Sequence, residues 1–142
     1  MKELYLLIVA QLDVISLIKW IDLDSGQLEQ AGSGLKYPCV LVKLNSVNKD
    51  IDEVGGQQKE WTVQLRAAFD ATGSRTASDT PESVRNRSLE YIETANNIYN
   101  LFQGNALEGF CAFECVSEGQ EFRRDGLVIF NHLFKTVQMN FK

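Results

Sequence analysis

Residues 59–71 carry the feature that most constrains this chain. Trp61, Val63, Leu65, Ala67 and Phe69 alternate with Glu60, Thr62, Gln64, Arg66, Ala68 and Asp70. A period of two, with aromatic and β-branched residues on one parity, requires a strand with one buried and one polar face. Such a strand needs hydrogen-bonding neighbours at its sides and an apolar layer over Trp61 to Phe69. The rest of the sequence offers both.

Two segments read as the covering helices. In residues 2–17, Leu4, Leu7, Ile8, Leu12 and Ile15 recur at spacings of three and four, and Leu6, Val9 and Val14 widen the stripe, as if more than one side were covered. In residues 81–103, Thr80 caps, Pro81 suits the first turn, and Glu82 follows it. Val84, Tyr91, Ile92, Ala95, Ile98, Tyr99 and Phe102 supply the stripe, and Gly104 the stop. Residues 18–24 and 37–44 read as strands, with Pro38 suited to a strand start. Polar, glycine-containing connections fill 25–36, 45–58 and 72–80.

The C-terminal part reads as strand, turn, strand over 110–117 and 127–141, with turn chemistry at 118–120 and 123–126. Its last arm is apolar on both parities: Val128, Phe130 and Phe134 on one, Ile129, Leu133, Val137, Met139 and Phe141 on the other. The expected architecture is a single α+β domain over residues 1–142, in the order α-β-β-β-α-β-β. Its mostly antiparallel sheet carries two helices packed on one face, with Trp61, Val63, Leu65 and Phe69 toward them. Two helices cover one face, so a second layer or another subunit must meet the other.

Composition narrows the function classes. At 142 residues, with 44% hydrophobic and 23% charged residues, the chain has the makings of one core. With 14 basic against 19 acidic residues, its net charge of −5 disfavours a general nucleic-acid binder. No apolar run approaches the ~20 residues of a bilayer span, so no membrane partner is expected. Only Lys2 precedes the apolar run at 4–10, and no small-residue cleavage site follows soon after. That run reads as a mature helix of a protein made in the cytoplasm.

The residues that invite chemistry have simpler readings. Cys39, Cys111 and Cys115 are an odd set, which argues against a disulfide framework and for three free thiols. In a strand, Cys111 and Cys115 stand roughly 13 Å apart, too far to share a zinc ion. His132 is the only histidine, with no nucleophile signature to complete a triad. No phosphate-cradling glycine motif is present. Asp50, Asp52 and Glu53 form a solvated acidic loop, short of an ordered calcium loop. No catalytic residue, metal or cofactor is expected, and the chain does not read as an enzyme.

What remains is an interaction surface. Arg123 and Arg124 sit at a turn beside Asp125 and suit pairing across an interface. With Asp50, Asp52 and Glu53, and with Ile129, Leu133, Val137 and Met139, they make up the candidate interface.

The order of elements resembles the tail-terminator proteins of long-tailed bacteriophages and the related minor tail and head–tail completion proteins. The resemblance runs over nearly the whole chain. It rests on the N-terminal helix, the Tyr37-Pro38-Cys39-Val40-Leu41-Val42 strand, the Trp61-Thr62-Val63-Gln64-Leu65-Arg66 strand, the Thr80-Pro81-Glu82 helix opening and the final hairpin. It implies a non-enzymatic structural protein of the virion tail or neck, made in the bacterial cytoplasm. Such a protein caps the tail tube and joins head to tail as a homo-oligomeric ring, commonly a hexamer. Its partners would be its own copies, the tail-tube protein and head–tail connector proteins. Two other readings are a host interaction module, and a small-molecule-binding α+β domain with His132, Tyr91 and Arg66 as its first candidates.

Overall fold

The computed structural model describes residues 1–30, 34–50, 56–72, 76–123 and 125–140, with the side chains of Arg87, Met139 and Asn140 outside the description. Strand β3 (Gln57–Asp70) forms the centre of a five-stranded sheet. It lies between β2 (Cys39–Asp50) and β5 (Leu127–Asn140), antiparallel to both. The edges are β1 (Trp20–Leu23), parallel to β2, and β4 (Glu114–Phe122), antiparallel to β5. The sheet order is β1-β2-β3-β5-β4. Helices α1 (Lys2–Leu12), α2 (Glu82–Ser88) and α3 (Glu90–Phe102) complete the α+β domain.

The alternation in β3 places its residues as expected. Trp61, Val63, Leu65, Ala67 and Phe69 are buried in the main core with Leu4, Ile8 and Leu12 of α1 and Ile98 and Phe102 of α3. Val40, Val42 and Leu44 of β2 and Phe134 of β5 join them. The rings of Phe102, Phe113 and Phe134 pack together with centroids 5.6–6.2 Å apart.

Several boundaries differ from the sequence reading, each for a local reason. Helix α1 stops at Leu12, and residues 13–18 continue as turns, with the Ile15 amide donating to the Leu12 carbonyl. Leu4, Ile8 and Leu12 are buried and Tyr5, Leu7 and Ile15 pack partly against the same core, whereas Leu6 and Val14 are exposed. The second helical segment breaks at Leu89 into α2 and α3. Strand β2 runs on to Asp50 through residues expected to be loop, paired from Asn45↔Thr62 to Asp50↔Gln57. Those added residues are exposed and, Val47 apart, polar, so backbone pairing carries an arm that hydropathy does not signal. Similarly, β4 passes through 118–120, and the chain reverses after Arg123, whose carbonyl accepts from the Gly126 amide at 3.2 Å. Gly126 adopts φ +87°, and the Thr72 side chain fills the space that a Cβ there would need.

The second sheet face is not bare throughout. Leu28, Leu35 and Tyr37 pack over Cys39, Leu41, Ala68, Leu127 and Ile129 in a smaller core. The expectation that Ile129 offers itself to another subunit is therefore corrected. It is fully buried beneath a flap of its own chain.

Candidate functional site

The uncovered part of the second face is built by three strands in register. Lys43, Gln64 and Leu133 form one row across β2, β3 and β5, and Val47, Glu60 and Val137 form another. Leu133 and Val137 are half-buried, while Val47 is 60% exposed. Lys49 pairs with Glu60 at 3.0 Å on the same face. This is a mixed surface in which isolated apolar side chains stand among charges, the composition of a wet interface more than of a core.

The remaining candidate interface residues disperse. Asp50 has the opposite parity, on the helix side of the arm, where its carboxylate accepts a hydrogen bond of 2.9 Å from Gln57 Nε2. Asp52, Glu53 and Arg124 lie outside the described residues, as does the Met139 side chain; the Met139 backbone pairs with Gln58. Arg123 turns inward: its Nη1 donates to the Leu28 carbonyl at 2.6 Å and its Nη2 pairs with Asp125 at 2.7 Å. It thus clamps the flap to the hairpin turn. The pattern of two arginines beside an aspartate did not distinguish this internal bond from an external one.

A polar hub missed by the sequence reading lies on the same sheet face. Arg66, its side chain 14% exposed, meets Glu29 at 3.0 Å, Asp24 at 3.6 Å and Glu121 at 3.7 Å. Burial works against the guanidinium charge, but the Glu29 hydrogen bond and the three carboxylates outweigh it and raise its pKa. Arg66 thereby ties the segment after β1, the flap and edge strand β4 to the central strand. Asn131 adds a hydrogen bond of 3.2 Å to Glu121.

His132 belongs to the other face. It pairs with Leu65, stands parallel to the Phe134 ring and is 3% exposed. Its Nε2 lies 3.7 Å from Glu118 Oε1, and its enclosed Nδ1 lacks a well-formed hydrogen bond among the described residues. Burial lowers its pKa, against the pull of the Glu118 carboxylate and the Ala95 backbone. His132 forms the floor of a cleft of about 290 Å³ between α3 and β4. Tyr91 lies in a ring cluster with Phe69 and Phe130 on this face. The three candidates for a small-molecule site therefore do not converge, since Arg66 is across the sheet from His132 and Tyr91. The cysteines are apart in exposure, Cys39 buried, Cys115 half-buried and Cys111 exposed, each a free thiol. Among the described residues no cluster of three or more His, Cys, Asp or Glu could hold a metal ion, and no helix is long and apolar enough to cross a membrane.

This layout has a counterpart among solved structures. The chain shares its fold with a component of the virion of a native gene transfer agent particle. The two superpose with a TM-score of 0.56, covering 96% of this chain and 95% of the other, at 11% sequence identity. No family model and no curated protein matches the chain.

Proposed function

We propose that this chain is a non-enzymatic structural subunit of a phage-type virion, acting at the end of the tail. In this reading it caps the tail tube and takes part in tail completion and head–tail joining as a homo-oligomeric ring, with the tube and connector proteins as its other neighbours. The observation that carries it is the near end-to-end match to a gene transfer agent virion component. The match runs over nearly the whole of both chains, so the likeness extends to the order of all the elements. The open face supports the same reading. The Val47–Glu60–Val137 row sits on an arm that extends beyond the helix layer, where a neighbour can reach it. A head-to-tail ring requires two different patches on each subunit. This row supplies one, and the exposed outer side of α1 around Leu6 supplies the other.

Light scattering over a concentration series, with and without tail-tube protein, combined with electron microscopy of the mixture, tests this. Closed rings seated at tube ends are expected. A monomer at every concentration that leaves tube length unchanged would sink the reading.

A further inference from the structure

Edge strand β4 and the α3–β4 cleft lie side by side, away from the two patches assigned above to the proposed ring. Among the described residues β4 is the terminal strand, and all its residues except Cys115 are exposed. Its first residues are partly occupied by the preceding segment, through the Gln103↔Phe113 bridge and the hydrogen bond from the Cys115 amide to Gln103. From Ser117 to Phe122 no strand lies beyond it. Glu118, Gln120 and Phe122 point to the helix side, in register with His132, Phe130 and Val128. Helix α3 does not reach over them, so Phe122 is 72% exposed. The gap is the cleft, walled by Ile92 and Phe130, with Glu118 at its rim and the buried His132 ring at its floor.

We propose that β4 accepts an extended, basic segment of a second protein as an added strand, with a lysine or arginine entering the cleft and an apolar residue against Phe122. Strand addition draws affinity from the backbone and specificity from pockets for alternate side chains. Here the pocket has apolar walls for an alkyl stem and a carboxylate for its charged head, the two needs of a long cationic side chain. Glu118 and Phe122 are four residues apart on one face, so the incoming strand carries its basic and apolar residues at the same separation. Charge selects the occupant. Pairing β4 with itself would gather both copies' Glu114, Glu118 and Glu121 along one seam, and β1 of a second copy carries Asp22 as its one charged residue. Like charges oppose both, whereas a basic strand of another protein is complementary. The surface stands independently of the ring, whose patches lie on the open face and on α1.

The test uses the full chain and two fluorescent synthetic peptides of alternating threonine and valine. One carries lysine and, four residues on, phenylalanine; the other has glutamate for the lysine. Anisotropy should show the lysine peptide binding at least about tenfold more tightly than the glutamate peptide. Glu118→Lys should reverse that order, and Phe122→Ser should weaken the lysine peptide about tenfold. Both substitutions are exposed, and an unchanged thermal midpoint verifies the fold. The His132 imidazole resonances of the unmutated chain give a second readout, moving with the lysine peptide and not with the glutamate one. Equal affinity for the two peptides, no binding of either, or indifference to Glu118→Lys overturns the proposal. None of these results bears on ring formation.

Discussion

Leu133 and Phe134 are neighbours in sequence and opposite in surroundings. Phe134 is fully buried against the rings of Phe102 and Phe113, while Leu133 is half-buried beside polar Gln64. The same contrast runs the width of the sheet. One face is closed by α1 and α3 and holds the main core; the other has a flap at one end and a polar hub and an open arm at the other. The difference separates a face buried along its length from one buried only beneath the flap, where the remaining side chains are open to something else.

The largest effect that would sharpen this contrast is in the closed face. Phe134→Ala should cost about 3–5 kcal/mol, the range for emptying a buried aromatic site. Leu133→Ala should cost under ~1 kcal/mol, as for a site near the surface. Urea unfolding of the two variants measures the gap, and equal losses would break the distinction between faces.

Next in size is the pH dependence from His132. Its folded pKa is lowered from 6.5, chiefly by burial, so the native state prefers the neutral ring. The resulting stability is full above pH 6.5. It falls as pH drops below that value toward the lower folded pKa, because the unfolded chain takes up the proton first. The unfolding midpoint should fall with pH across this window, and His132→Phe should flatten the dependence. An equal slope in both proteins would remove His132 from the account.

The closed face was legible in the sequence because covering a strand on one side imprints a period of two. Trp61, Val63, Leu65 and Phe69 could hardly be read otherwise. The open side left weaker marks. Residues 45–50, polar except for Val47, extend β2 through backbone pairing, which composition does not record. Ile129 looked like an interface residue because the flap over it, Leu28 and Leu35, lies in an apparently featureless loop. The Arg66 hub joins residues from four segments, so no local motif announces it. His132 and Glu118 are brought together by the register of β4 against β5, which only the turn position fixes.

Smaller effects distinguish the flap from the exposed edge. Burial pushes the Cys39 thiol up to about 11, and the flap covers it. Thiolate is the reactive form, so an alkylating reagent at neutral pH should modify exposed Cys111 first, Cys115 more slowly and Cys39 only on unfolding. Mass analysis of timed samples gives the order. Arg123→Ala removes the bond to the Leu28 carbonyl and should cost about 1 kcal/mol while speeding Cys39 labelling. Early labelling of Cys39 in the unaltered protein would mean that the flap does not close this end of the sheet.

The central claim of the proposed function is that the uncovered part of the second sheet face, beyond the flap and its small core, is where the chain meets its neighbours in a ring. Val137→Asp tests it most directly, because Val137 lies in the open row with Val47 and Glu60 and outside both cores. The variant's unfolding curve and its assembly with tail-tube protein, followed by light scattering and electron microscopy, are read together. The account predicts a midpoint lowered by a few degrees at most, from the strand substitution and the new carboxylate opposite Glu60, with the chain still folded at the assay temperature, and loss of closed rings at tube ends. Normal rings and tail lengths with Val137→Asp, or a collapse of folding that accounts for their loss, would contradict it.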